Sequence, residues 1–181
     1  TQPTMTMMNI AIFSPQKNPY SETFIQAHKN FLKGNIFYYY GKDDTKLEGQ
    51  TIQLPRAQRG LLRLQSRFSP KPYNYLLQMA LLSSLQKNKI DVALAEYGLH
   101  GNWILPVLKQ TDIPLVVHFH GFDASRHDIC SRKDIYTALF EYASGVIAVS
   151  REMETKLLEM GCPRDKLIYN VYGPHPEFLA L

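Results

Sequence analysis

The chain has 181 residues, of which 45% are hydrophobic and 20% charged, with a formal net charge of +4. This composition is typical of a globular domain that buries its core without disulfides or structural metals. No apolar run approaches the roughly 18 residues needed to span a bilayer, and two cysteines are too few for a disulfide framework or a zinc site. We expect reduced thiols and a cytoplasmic location. Residues 1–8 lack the features of a signal peptide, which predicts a flexible leader before one domain at 9–181.

Strand and helix signals alternate along the chain. Apolar and β-branched runs predict strands at 9–14, 35–40, 51–54, 91–96, 114–119, 145–149 and 166–172. Apolar stripes at helical spacing predict helices between them, beginning with one capped by Ser21 and followed by 73–87, 102–110, 131–143 and one capped by Ser150. Strands joined by helices in this way imply βαβ units. The pattern therefore predicts an α/β fold with a doubly wound, mainly parallel sheet.

The segment PLVVHFHGFD, residues 114–123, joins a buried-looking strand to a polar loop. Ligands of open α/β sheets bind outside the carboxyl ends of the strands, where His120, Gly121 and Asp123 lie. A plain turn, with Asp123 capping the next helix, explains the same residues equally well. His118 and His120 alternate and therefore point to one side of the strand, but no cluster of further metal ligands matches them. We expect a core His118 hydrogen-bonded to backbone, and no metal.

Charge is unevenly distributed. Residues 49–90 contain seven basic side chains and no acidic one. Four of the basic residues are spaced so that they share one face of a helix: Arg56, Arg59, Arg63 and Arg67. Such a face can dock on an anionic membrane or bind phosphate groups, although an ordinary solvated helix face has the same appearance.

The chain lacks several common motifs. Neither a Gly-x-Gly-x-x-Gly turn nor a P-loop follows the first strand, where the sequence reads Pro15-Gln16-Lys17-Asn18-Pro19. No Gly-x-Ser-x-Gly elbow is present, which weighs against an α/β-hydrolase.

Three segments carry a family resemblance. These are Pro19-Tyr20-Ser21-Glu22-Thr23-Phe24-Ile25, PLVVHFHGFD, and residues 145–179 with their capped helix, Gly-Cys-Pro turn and closing strand. They resemble, in the same order, the N-terminal part of family 4-type glycosyltransferases. The resemblance implies the GT-B architecture, in which two Rossmann-like domains face each other across a cleft. This chain would be the N-terminal, acceptor-side domain.

The resemblance also shows what this chain lacks. In such enzymes the C-terminal domain holds most of the nucleotide sugar, usually through two Glu with seven residues between them, and no Glu pair here has that spacing. No cofactor is therefore expected to bind this domain alone. The family's closing Asn-Gly-Val-Asp reads Tyr172-Gly173-Pro174-His175, so the acidic residue does not carry over.

By resemblance, His120 reaches the donor sugar in the closed cleft and acts as the catalytic group, while Gly121 allows close backbone approach. Asp123 is expected to orient the loop. Glu22 either contacts the acceptor or is an ordinary first-turn carboxylate that interacts favourably with the helix dipole. Gly98 and Gly101, flanking His100, are expected to form a flexible loop at the crevice.

The resemblance implies transfer of a sugar from a nucleotide sugar to a glycan or lipid-linked acceptor, with retention, in cell-surface polysaccharide synthesis. No nucleic acid partner is expected. The location would be cytoplasmic, peripheral at the inner membrane face. Two other classes stay open. One is a metal-dependent hydrolase using His118, His120, Asp123 and His127, and the other is a non-catalytic α/β ligand-binding domain.

Overall fold

The computed structural model describes residues 7–17, 22–42, 44–52, 54, 60, 64, 67–68, 72–121, 123, 132 and 134–173. These residues form a seven-stranded sheet with helices on both faces. In chain order the elements are β1 (Asn9–Ser14), α1 (Thr23–Phe31), β2 (Asn35–Tyr40), β3 (Lys46–Leu47), α2 (Pro72–Lys87), β4 (Val92–Glu96), α3 (Gly98–Leu108), β5 (Leu115–Phe119), α4 (Thr137–Tyr142), β6 (Gly145–Ala148), α5 (Arg151–Glu159), a 3₁₀ turn (Arg164–Lys166) and β7 (Leu167–Tyr169).

The strand order is β3-β2-β1-β4-β5-β6-β7. All neighbours are parallel except β3, which runs antiparallel to β2. From β1 the chain crosses outward to β2, whereas from β4 it steps in the other direction through β5, β6 and β7. The predicted doubly wound α/β fold is confirmed, and its topological switch point lies between β1 and β4.

Two apolar layers cover the two faces of the sheet. On one face, Ile25 of α1 packs with Ile10, Ile12, Tyr38 and Leu94. On the other face, alternate residues of the same strands pack against α2, α3, α4 and α5 in one larger core. Because the β4 and β5 side chains alternate, Glu96 and His118 fall on the face that α1 covers.

Several boundaries differ from the sequence-based prediction. The sheet edge is Lys46–Leu47, and Gly49, at a φ of 72°, turns the chain after it. Of the predicted strand at 51–54, the described residues 51, 52 and 54 are not in a strand. Helix α3 begins at Gly98, four residues earlier than predicted. Strand β7 ends at Tyr169, before Tyr172. The Ser150 cap is confirmed, since its Oγ accepts from the Met153 backbone N–H at 3.1 Å.

Helix α1 begins at Thr23, and Glu22 occupies its N-cap position without a side-chain capping bond. Helix α4 is shorter than the predicted 131–143. The predicted Ser21 cap and the start of that longer helix at Ser131 lie outside the described residues. Across the described ranges, no helix combines the length and apolarity needed to cross a bilayer.

Candidate functional site

A cavity of about 570 Å³ opens at the carboxyl ends of β1 and β4, at the switch point. Its charged or ionisable side chains are two carboxyl groups, an amine and an imidazole. The residues that line it are Pro15, Gln16, Glu22, Lys42, Tyr97, Leu99, His100 and Asp123. Three predicted site residues, Glu22, His100 and Asp123, therefore share one cavity. A concave site with a few converging polar groups is typical of small-molecule binding.

Tyr97 connects the two sides of the cavity. It follows β4 with a φ of 76°, a strained conformation for a residue with a bulky side chain. Its backbone N–H donates to the His118 carbonyl at 2.9 Å. Burial and the hydrogen bond to Glu22 raise the pKa of Tyr97, so the phenol remains protonated and donates to the Glu22 carboxylate. Tyr97 thus fixes Glu22 at the mouth of the crevice.

Asp123 orders the loop after β5. It is buried, and its Oδ2 accepts from the His120 backbone N–H at 3.1 Å. The backbone N–H groups of Gly98 and Leu99, at the start of α3, also donate to it. Burial raises the pKa of Asp123 to about 6, against the effect of these donors. Asp123 therefore links the loop after β5 to the N-terminus of α3. These hydrogen bonds fix the position of its carboxyl group.

The predicted flexible loop at Gly98 and Gly101 is wrong. Both residues belong to α3 and are buried. A Cβ on Gly98 would lie 2.3 Å from Cε1 of Phe119, and one on Gly101 would lie 3.1 Å from Cδ1 of Leu139. The helix packs so closely on β5 and α4 that these positions have little room for a side chain.

His100 is a buried neutral imidazole in the cavity wall. It is 2% exposed and neither ring nitrogen has a hydrogen-bond partner among the described residues. Burial, with a contribution from the Lys42 charge, lowers the pKa of His100 to about 4. Its ring stacks on Trp103 at a centroid distance of 5.6 Å. A bound polar ligand would supply the partner that its nitrogens lack.

Directly behind the cavity, three histidines surround the carboxylate of Glu96, which is fully buried at the end of β4. Its Oε1 accepts from Nδ1 of His28 at 2.6 Å, and its Oε2 accepts from Nε2 of His120 at 2.9 Å. Nδ1 of His118 lies 3.4 Å from Oε2. Burial acts to raise the pKa of Glu96, but the three imidazoles outweigh it and hold the pKa well below its usual range. Glu96 is therefore ionised.

This carboxylate fixes the tautomer of His120. An ionised carboxylate can only accept, so Nε2 of His120 carries the proton. Burial lowers the pKa of His120, against the raising effect of Glu96, and the ring is neutral. Its Nδ1 is then an acceptor, and the Tyr172 hydroxyl donates a hydrogen bond to it.

An aromatic side chain of α1 covers this pair. The Phe24 ring stacks on His120 at 4.1 Å and on Tyr172 at 5.1 Å between centroids. His120 is 3% exposed and is not part of the cavity lining. The predicted catalytic imidazole thus lies behind the cavity with both nitrogens engaged.

The expectation that backbone groups satisfy His118 is wrong. Neither of its ring nitrogens has a hydrogen-bond partner in the described part of the chain, and its ring faces Glu96, His28 and His120. The prediction that His118 and His120 share one side of the strand is correct, because their ring centroids are 4.5 Å apart. The groups around His118 come from α1 and β4, which are distant in sequence, and so form no local motif.

The other predicted residues are placed as follows. Gly121 is exposed, and a Cβ there would meet nothing within 4 Å. Arg67 is exposed in a turn. Arg56, Arg59, Arg63 and His127 lie outside the described residues, as do Pro174 and His175. The shared basic helix face stays a prediction.

The strand order defines a Rossmann-like domain with a cavity at its switch point. The model of Glycosyltransferase Family 4 matches residues 36–170. The chain belongs to this family, as the sequence resemblance indicates.

One curated relative and several solved structures are similar. The chain is 30% identical over 114 residues to the amylovoran biosynthesis glycosyltransferase AmsK of Erwinia amylovora, a match covering 61% of this chain and 28% of that protein. HepE of Anabaena, solved in complex with UDP and glucose, has a TM-score of 0.59 at 15% identity over 93% of this chain and 45% of that one. A sucrose-phosphate synthase structure from Thermosynechococcus elongatus has a TM-score of 0.54 at 16% identity over 96% and 93% of the two chains. The chain thus spans under a third of AmsK and under half of HepE.

Proposed function

We propose that this chain is the acceptor-side domain of a hexosyl-transferring enzyme. The enzyme would move a sugar from a nucleotide-sugar donor to a glycan or lipid-linked acceptor, with retention, in cell-surface polysaccharide synthesis. Membership of family 4 and the likeness to AmsK, whose name gives amylovoran biosynthesis, support this class. HepE, solved with UDP and glucose, supports a nucleotide-sugar donor.

The switch-point cavity is the observation that carries this proposal. Glu22, Asp123, Lys42 and His100 offer hydrogen-bonding groups that match sugar hydroxyls. Tyr97 and Leu99 add apolar surface for the C–H faces of a sugar ring. We assign this cavity to the acceptor, with Glu22 as its contact and Tyr97 holding that carboxylate in place.

We assign the donor mainly to a second domain outside this chain. No Glu pair in the sequence has the family's spacing, and HepE is matched over less than half of its length. Diphosphate charge can be neutralised by helix dipoles and basic side chains without a metal. The enzyme would act at the cytoplasmic face of the membrane.

His120 would contact the donor sugar through Nδ1. In the structure this atom accepts from the Tyr172 hydroxyl, an interaction of the kind that a sugar hydroxyl would make. Exchange of Tyr172 for the sugar would expose the imidazole while Glu96 keeps Nε2 protonated. Gly121, which has open space around it, would let the donor approach the backbone.

A transfer assay tests the proposal. Radiolabelled nucleotide sugars and lipid-linked acceptors are incubated with the 181-residue chain and with the full-length protein that joins it to a donor-binding domain. We expect sustained transfer only from the full-length protein. Sustained turnover by the 181 residues alone would refute the assignment of the donor to a second domain. Absence of transfer by both proteins would refute the glycosyltransferase activity.

A pair of variants tests the cavity. Glu22→Gln in the full-length protein is expected to raise the KM for the acceptor roughly tenfold, by weakening one charge-assisted hydrogen bond. The control is Glu48→Gln, which breaks an ion pair with Lys29 away from the cavity lining. Equal effects of the two variants would contradict the acceptor assignment.

A further inference from the structure

Three side chains from three elements converge beneath α1: His28 of α1, Glu96 of β4 and His118 of β5. One ligand atom from each lies within 4.8 Å of the other two. The carboxylate already contacts both imidazoles, with Oε1 2.6 Å from Nδ1 of His28 and Oε2 3.4 Å from Nδ1 of His118. We propose that these three residues bind a divalent transition-metal ion, with Zn²⁺ the best match.

The strongest support is the state of His118. Its side chain is 2% exposed, yet both ring nitrogens lack hydrogen-bond partners within the described ranges. Leaving a buried polar atom without a partner costs free energy that folded proteins seldom accept. A metal bond to one nitrogen would remove this penalty. The nearest acceptor, Oε2 of Glu96, lies 3.4 Å from Nδ1 of His118 and does not form a hydrogen bond with it.

The ligand set selects the class of ion. Two imidazoles and one carboxylate form a set that binds zinc with one coordination position left open. Calcium and magnesium prefer all-oxygen sites, so they fit poorly. Around a tetrahedral ion, ligand atoms bonded at about 2.0–2.2 Å lie roughly 3.3–3.6 Å from one another. The three ligand atoms here lie within 4.8 Å of one another, and Nδ1 of His28 is 2.6 Å from Oε1 of Glu96, so side-chain rotation must bring them to this spacing.

Access and charge also favour a cation. His28 is 24% exposed, so an ion can reach the cluster past this ring. The Glu96 carboxylate is fully buried and supplies the negative charge. To coordinate through Nδ1, His28 must release the proton that it now donates to Glu96, either to its own Nε2 or to solvent. The ion would replace that hydrogen bond.

The neighbouring contacts are those of an outer coordination shell. Nε2 of His120 holds Oε2 of Glu96 at 2.9 Å, and such bonds orient ligating carboxylates. Phe24 lies over His118 at 6.5 Å and over His120 at 4.1 Å between centroids, shielding the cluster. The inference is independent of sugar transfer and its test uses no assay of activity.

The test is metal titration of the untagged full-length protein after treatment with a chelator. Co²⁺ serves as the spectroscopic probe, followed by calorimetric titration with Zn²⁺. We expect one Co²⁺ per chain, visible bands typical of low-coordinate Co²⁺, and their loss when Zn²⁺ displaces the ion. His28→Asn and His118→Asn are each expected to weaken Zn²⁺ binding at least tenfold.

His100→Asn is the matched control, because His100 is equally buried and without partners but lies outside the cluster. This variant should bind Co²⁺ and Zn²⁺ as tightly as the parent protein does. Circular dichroism checks folding, and if His118→Asn does not fold, the more exposed His28→Asn decides alone. Absence of stoichiometric binding, or binding that both cluster variants retain, would overturn the proposal.

Discussion

Nε2 of His120 and Oε2 of Glu96 lie 2.9 Å apart at the carboxyl ends of two adjacent parallel strands. The parallel register pairs Glu96 with His118, and His120, one residue beyond the end of β5, brings a second imidazole to the same carboxylate. Because the ionised carboxylate only accepts, His120 is held with its proton on Nε2 and its lone pair on Nδ1. The residue assigned to donor contact is therefore oriented before any ligand binds.

The first prediction separates the two strand histidines. In the full-length protein, His120→Ala should lower kcat by roughly 10², because the imidazole would meet the donor in the reactive geometry. His118→Ala should instead lower the free energy of unfolding by about 1–3 kcal/mol, since it removes a buried, packed ring. Steady-state kinetics and urea unfolding measure the two effects. Full activity and stability in both variants would disprove these assignments.

The second prediction contrasts two glycines near the site. Gly98→Ala should destabilise the fold by about 1–3 kcal/mol, because the new Cβ would lie 2.3 Å from Phe119 and 2.8 Å from Tyr136 ring carbons. Gly121→Ala meets nothing within 4 Å, so its stability should stay within about 0.5 kcal/mol of the parent. Its transfer activity should nevertheless fall if the donor approaches this backbone. Unchanged kinetics for Gly121→Ala would show that no such approach is needed.

The third prediction concerns pH and stability. The pKa of His100 is lowered from 6.5 to about 4 in the folded chain, so between these values the unfolded state binds more protons. The contribution of neutral His100 to the free energy of unfolding is fully present above pH 6.5 and is lost as the pH falls toward 4. The loss amounts to roughly 3 kcal/mol at about 1.4 kcal/mol per pKa unit. Urea unfolding at several pH values measures the slope.

In that experiment His100→Asn removes the titrating group and should flatten the dependence between pH 6.5 and 4. The other ionisable groups are unchanged, so the difference between the two curves isolates His100. Parallel curves for parent and variant would show that another group causes the acid sensitivity.

The fourth prediction addresses the basic segment. If the four arginines share an exposed helix face, each gains about 1 kcal/mol near anionic lipid, which suffices for reversible docking. Co-sedimentation of the full-length protein with vesicles should then require anionic lipid and fade at high salt. Binding should weaken on replacement by Gln of Arg56, Arg59, Arg63 and Arg67.

The control removes the same charge elsewhere, with Gln at four exposed basic positions: Lys33, Lys109, Arg151 and Arg164. It should retain more vesicle binding than the segment variant. If both variants bind alike, or if lipid charge has no effect, the segment is an ordinary solvated surface.

Most of the fold could be predicted because its signals are local. The β1 and β2 boundaries match because each strand is a short apolar run, ended by Pro15 in the first case and flanked by Gly34 and Gly41 in the second. The start of α3 was missed because Gly98 and Gly101 suggest a loop, whereas their lack of a side chain serves close packing against Phe119 and Leu139. A glycine occurs both in flexible loops and in closely packed helices, and only the residues that surround it in the fold distinguish the two cases.

The site was only partly predictable. His120 and Asp123 follow a strand and could be found by position alone, but Glu96 and His28 are 68 residues apart and meet only through the sheet register and α1. A charged residue ending the buried run VALAE was an available signal for Glu96. Nothing local to Tyr172 or Phe24 indicates their shared contact with His120.

The Tyr172 hydroxyl engages the lone pair on Nδ1 of His120. Tyr172 lies three residues beyond the end of β7. The position of the chain after β7 and the availability of the His120 lone pair are therefore coupled through one side chain. A displacement that carries the Tyr172 side chain away would free Nδ1, and a ligand that bonds to Nδ1 would displace the Tyr172 hydroxyl.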